Sequence, residues 1–120
     1  MAYQRFWRRT RLKVGITYHE KFGQYDLGAD HPFRGDRFAN VMRLFEEQGL
    51  LRLPNVILLK PRLVTKRDLL RVHDENYVDL IFRLAEVSKP YDIETPVSPQ
   101  ILEAARLLIG GGHRVWEGYL

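Results

Sequence analysis

The 120-residue chain contains no cysteine, which excludes disulfide bonds, a thiolate nucleophile and cysteine-ligated zinc. Any metal would need histidine or carboxylate ligands. No stretch approaches the roughly 18 consecutive apolar residues of a membrane-spanning helix. No apolar core follows Arg5, Arg8, Arg9 and Arg11, as a secretory leader would require. A cytoplasmic protein without a membrane partner is therefore expected. The first 13 residues lack acidic groups and carry five basic ones, whereas the other 107 hold 14 basic against 15 acidic. The net charge of +4 thus belongs to a basic amino-terminal arm, residues 1–11, rather than to the body of the chain. Phe6 and Trp7 between those arginines could stack on bases while the guanidinium groups track phosphates, but so short a cluster is more often a solvated tail. Nucleic acid is not the expected partner.

Familiar catalytic patterns are also missing. The four histidines, His19, His31, His73 and His113, form no His-Glu-x-x-His, no His-His pair and no Asp-x-His. There is no Gly-x-Ser-x-Gly elbow and no phosphate-cradling loop ending in Gly-Lys-Ser or Gly-Lys-Thr. His73 beside Asp74 could make an acid-base pair, yet neighbours on a helix point different ways, and a structural role is favoured. Glu46 and Glu47 read as a solvated helix face rather than a glycosidase pair.

What is present is an α/β pattern. In residues 12–18, Val14 and Ile16 alternate with Lys13, Gly15 and Thr17, which predicts a strand. Residues 19–36 are too interrupted by glycine, proline and aspartate for regular structure and too long for a simple turn, and long ordered loops usually serve a site. Phe38, Val41, Met42 and Phe45 fall at helical spacing, with Asp36 as cap and Gly49 as left-handed stop. The run Val56 to Leu59, between Pro54 and Pro61, predicts a strand buried on both faces, so that strand, helix and strand make a parallel unit. Thr65 with Asp68 forms a capping-box variant. Asp74 caps a helix whose Tyr77, Leu80, Ile81 and Leu84 make one stripe, and Ser98-Pro99 starts a last helix through Ile101, Leu102, Ala105, Leu108 and Ile109. Gly110, Gly111 and Gly112 predict either a break in that helix or a backbone packed closely against it. Beyond them Val115, Trp116 and Tyr119 prolong the apolar stripe, and a partner element is expected to cover them.

The chemistry-bearing residues concentrate in the long loop, where Tyr25, Asp26, Gly28, His31, Pro32 and Arg37 lie between the first strand and first helix. The stretch YHEKFGQYDLGADHPFRGDR, residues 18–37, resembles the start of the arginase/deacetylase superfamily, in its histone deacetylase and acetoin-utilisation branch. LLRVHDENYVDLI, residues 69–81, resembles that family's Val-His-Asp-x-x-Tyr-Val helix. ETPVSPQILEAARLLIGGG, residues 94–112, resembles its Thr-Pro-Val segment and glycine-ended helix. Gly35 and Asp36 depart from the family's frequent proline before the arginine.

The resemblance implies that residues 1–120 are the N-terminal part of a three-layer fold with a mainly parallel sheet, incomplete as it stands. It further implies a hydrolase of acetyl-lysine or related amides that uses zinc in the complete domain. The family's zinc ligands, His-His pair and oxyanion tyrosine all follow the glycine-ended helix, so no catalytic and no metal-binding residue is assigned here. The chain alone is expected to bind no zinc and to be inactive. By the same resemblance Arg37 lines an internal channel behind the metal, while Tyr18, His31 and Pro32 build its wall and the approach to the site. Read without the resemblance, Arg37 would pair with Asp36 or Asp30 and His31-Pro32 would simply stiffen a turn.

The expected partners are the missing C-terminal portion or a second chain, and further copies meeting through exposed apolar surface. One alternative is a non-catalytic binding or assembly module that reuses the half-fold, with residues 1–11 as a nucleic-acid-binding arm. The other is an autonomous hydrolase built from His31, His73 and nearby carboxylates.

Overall fold

The computed structural model describes residues 12–119, with side chains to residue 116. The basic arm, residues 1–11, and Leu120 lie outside the described residues, as does the side chain of Tyr119. Strand β1 (Val14–Thr17) pairs in parallel with β2 (Val56–Leu59), Val14 facing Val56 and Thr17 facing Leu59. The ladder continues at both ends, where Val14 N–H donates to the Asn55 carbonyl (2.8 Å) and Tyr18 N–H to that of Leu59 (3.3 Å). Two parallel strands need a crossover, and helix α1 (Asp36–Glu47) supplies it.

The predicted loop is more regular than its composition suggests. Glu20–Gln24 form a 3-10 helix whose cap is His19, its Nδ1 accepting from Lys21 N–H at 3.0 Å. Phe22 is buried in that turn, and its burial stabilises an element that the flanking glycines conceal. The cap of α1 also differs from expectation. Gly35, with helical backbone, occupies the cap position, and Asp36 is the first helical residue, its carboxylate 3.6 Å from Arg34 Nε. Gly49 does end the helix in the left-handed region, at φ 73°.

Strand β2 is not buried on both faces: Leu58 is 54% exposed. Helix α2 (Lys66–Leu69) begins with the predicted capping box, Asp68 N–H donating to Thr65 Oγ1 (3.2 Å) and Thr65 N–H to Asp68 Oδ2 (2.8 Å). Asp74 caps α3 (Glu75–Val87) by accepting from Asn76 N–H at 2.8 Å. The inward stripe of α3 is turned by about one position from the predicted one. Val78 and Ala85 are buried and Phe82 packs beside them, while Tyr77 is exposed. Val64, Leu69 and Val78 make the compact core of this half.

Helix α4 (Pro99–Tyr119) starts as predicted, with Ser98 Oγ accepting from Ile101 N–H at 3.1 Å, and then runs unbroken through the three glycines. Of the two expectations, close packing is realised at Gly110 and Gly111, whereas a Cβ on Gly112 would meet nothing within 4 Å. A Cβ on Gly110 would strike the Arg62 carbonyl oxygen, and one on Gly111 would lie 2.5 Å from Thr17 Oγ1. Helix α4 therefore rests directly on β1 and on the chain leaving β2, and that contact offsets the roughly 1 kcal/mol that each helical glycine costs. Further along, Val115 is partly covered by packing on Gly15, while Trp116 is 68% exposed.

Candidate functional site

Tyr18 immediately follows β1, and the chain then folds back so that α1 starts beside it. Open parallel sheets present ligand sites at the carboxyl ends of their strands, which is where this segment lies. One carboxylate organises the turn. Asp26 Oδ1 accepts from Gly28 N–H and Oδ2 from Gly35 N–H, both at 2.9 Å, so a single side chain ties the loop's middle to the helix start. These two bonds, first that from Gly35, hold the Asp26 carboxyl below the usual carboxylate range. Within the loop, Leu27 N–H donates to the Phe33 carbonyl (3.0 Å) and His31 N–H to that of Gly28 (3.1 Å).

Aromatic rings join the predicted site residues. His31 lies 5.3 Å from Phe33, centroid to centroid, and its Nδ1 accepts from Phe33 N–H at 3.0 Å, which leaves the neutral ring's proton on Nε2. The Arg37 guanidinium lies over Phe33 (5.0 Å) and over Phe38 (4.8 Å). Phe38 meets Phe22 edge-on at 5.6 Å, and Phe22 meets Tyr18 at 5.9 Å. A continuous series thus runs His31, Phe33, Arg37, Phe38, Phe22, Tyr18. Arg37 makes its contacts with ring faces, and the ion pair with Asp36 is made by Arg34 instead.

The four predicted residues nonetheless border two separate hollows. Tyr18 and Arg37 line an apolar groove of about 400 Å³ with Phe22, Phe38, Met42 and Phe45. His31 and Pro32 line a more polar hollow of about 570 Å³ between the loop at 27–32 and the turn at Ile93 and Glu94. Sequence reasoning missed Phe22, Phe33 and Phe38, which carry the stacking, and did not assign Asp26 its anchoring role. The Asp-x-Gly spacing, which permits an aspartate to accept from the amide two residues on, was the available signal for Asp26.

His73 stacks on Tyr77 at 5.4 Å and lines another cleft, apart from His31. His113 receives a hydrogen bond from Arg62 Nη2 at 2.9 Å and so links α4 to the chain after β2. Among the described residues no three His, Asp or Glu side chains converge to hold a metal ion. Zinc, the metal that the resemblance implies, therefore finds no ligand set in them, and none of them can be given a metal-dependent step.

Similarity to known proteins runs along most of the chain. The "Probable deacetylase" of Archaeoglobus fulgidus is 28% identical over 109 residues, covering 91% of this chain and 30% of that protein. Histone deacetylase clr6 of Schizosaccharomyces pombe is 28% identical over 111 residues, covering 84% of this chain and 27% of that one. The crystal structure of the HDA15 HD domain shares the fold with a TM-score of 0.71 at 20% identity, over 89% of this chain and 33% of that one. The chain accordingly spans about 30% of the length of these curated relatives. With the histone deacetylase domain model matching residues 31–118, the chain belongs to the histone deacetylase family and corresponds to an N-terminal portion of its α/β domain.

Proposed function

We propose that this chain forms the opening part of a zinc-dependent deacetylase-like amidohydrolase that acts on acetyl-lysine or a related acyl amide. In this reading it supplies the wall and approach of the site, and residues beyond those described, in the same chain or a second one, hold the metal and break the bond. The observation that carries the proposal is the stacked series from His31 to Tyr18 at the carboxyl end of β1, in a chain of this family. Arg37 brings a planar cation held in place by two ring faces, and is suited to lining a channel. Tyr18 closes the groove beside it, and His31 with Pro32 shapes the approach. Their roles are positioning and access.

The reading also calls for a partner surface. Leu58 on β2 and Trp116 on α4 are more than half exposed, and apolar side chains so placed favour association with the remainder of the domain, a second chain or further copies. The same exposure favours a second reading, a non-catalytic assembly module built on this half-fold.

Zinc content and hydrolysis of a fluorogenic acetyl-lysine peptide, measured on the 120-residue chain alone and after adding a chain with the family's later His-His and Asp-x-His motifs, separate these readings. Zinc and turnover are expected in the mixture only. Turnover by the chain alone would overturn the assignment of the metal site to other residues. A stable complex that holds no zinc and has no activity would favour the assembly module.

A further inference from the structure

A cleft of about 130 Å³ opens between α2, α3 and α4, and shares no lining residue with the groove at Tyr18 and Arg37. Its walls are chiefly apolar and aromatic, with Val78 and Leu102 among the aliphatic side chains and Phe82 and Tyr77 among the rings. The space is close to that of a cavity of about 150 Å³ that accommodates benzene, so its size matches one ring.

Its charge is equally specific. Arg106 lines the cleft, with Nε donating to the Val64 carbonyl at 2.8 Å and Cζ 5.5 Å from the centroid of Phe82. These contacts occupy Nε and one face of the guanidinium, yet no carboxylate pairs with it among the described residues. Two nearby acids are engaged elsewhere, Glu103 with Lys21 (3.1 Å) and Gln24 (3.2 Å) and Asp79 with Lys66, while Glu86 borders the hollow on the other side of Arg106 without an ion pair to it. His73, stacked on Tyr77, is the other titratable group on the rim besides the tyrosine itself. A planar cation with free N–H donors beside a one-ring apolar space matches an anion that has both a flat apolar body and a two-oxygen head.

We propose that this cleft binds a small aromatic monocarboxylate, its ring against Phe82, Val78 and Leu102 and its carboxylate on the Arg106 guanidinium. The inference stands apart from the site assigned in the deacetylase reading, because the cleft uses none of Tyr18, His31, Pro32 and Arg37.

Fluorine NMR titration of the protein with 4-fluorobenzoate, and in parallel with neutral 4-fluorobenzyl alcohol, tests it. The acid should bind saturably and about ten-fold more tightly than the alcohol, as expected for a charge-assisted hydrogen-bond pair that is partly open to solvent. Arg106→Gln should abolish that preference. Ala105→Leu, which fills the cleft from its wall while keeping the guanidinium, should remove binding of both compounds. Methyl shifts in the unsubstituted protein should move at Val78 and Leu102, so the site is located even if a variant fails to fold. No saturation up to about 10 mM, equal affinity for acid and alcohol, or shifts confined to another surface would overturn the proposal.

Discussion

Two connections leave the carboxyl ends of the two parallel strands, and each is organised around one aspartate. After β1, Asp26 accepts two backbone amides and holds an open loop whose rings and guanidinium face a groove. After β2, Asp68 accepts the Thr65 amide (2.8 Å) and hydroxyl (3.0 Å) and meets Arg62 at 3.3 Å, in a segment that closes directly onto α4. The first keeps aromatic surface available. The second seals Val64 and Leu69 into the core. The difference teaches that similar carboxylate-to-backbone chemistry can frame a site or staple a fold, and that what packs against the turn decides which.

The largest test of that contrast is Gly110→Ala. The new methyl group would collide with the Arg62 carbonyl, and overpacking of this kind costs about 1–3 kcal/mol or more, so thermal or urea unfolding should show a marked loss of stability. An unchanged midpoint would mean that α4 does not rest on this backbone.

Next in size is the cap of α2. Thr65→Ala removes the hydroxyl cap and should cost about 1 kcal/mol in the same assay. Asp68 adds a pH signature. Its carboxyl is held down to about 2, first by the Thr65 amide, then by the Thr65 hydroxyl and Arg62. Because the folded value lies below the ordinary 3.8, the stabilisation is complete above about 4 and is lost as pH falls towards about 2. Unfolding followed through that window should show a slope that Asp68→Asn reduces.

A smaller effect is expected for Arg37→Met, which deletes an exposed cation lying over two rings, an interaction worth about 0.5–1 kcal/mol. If the complete enzyme is assembled, this variant should reduce turnover far more than it reduces stability; parallel losses would make Arg37 only a structural residue. Smallest globally is Asp26→Asn. Its expected readout is faster hydrogen exchange at the Gly28 and Gly35 amides with an almost unchanged melting temperature. A large drop in melting temperature would make the open loop a staple like the other one and erase the contrast.

Local signals were legible where one residue acts on its neighbours. Thr65 with Asp68, Asp74, Ser98 before Pro99, and Gly49 each act through hydrogen bonds or backbone preferences that span at most a few residues, and each appears where sequence places it. The candidate site was legible only in part. Arg37 and Tyr18 share a groove as expected, whereas His31 and Pro32 open onto another hollow. The rings that join them sit in three different local settings, Phe22 in a 3-10 turn, Phe33 in the loop and Phe38 on the periodic stripe of α1, so no single pattern marks them as a set.

By itself the sequence determined the strand-helix-strand order and most of the helix ends, because these follow from hydropathy period and capping chemistry. Tertiary structure decided the rest. It turned the buried stripe of α3 to Val78, Phe82 and Ala85, left Leu58 exposed on a strand that reads as fully apolar, and made Gly35 rather than Asp36 the cap of α1. In each case the outcome depends on which distant surface covers a residue or which remote carboxylate claims its amide, and those are long-range contacts that local pattern does not encode.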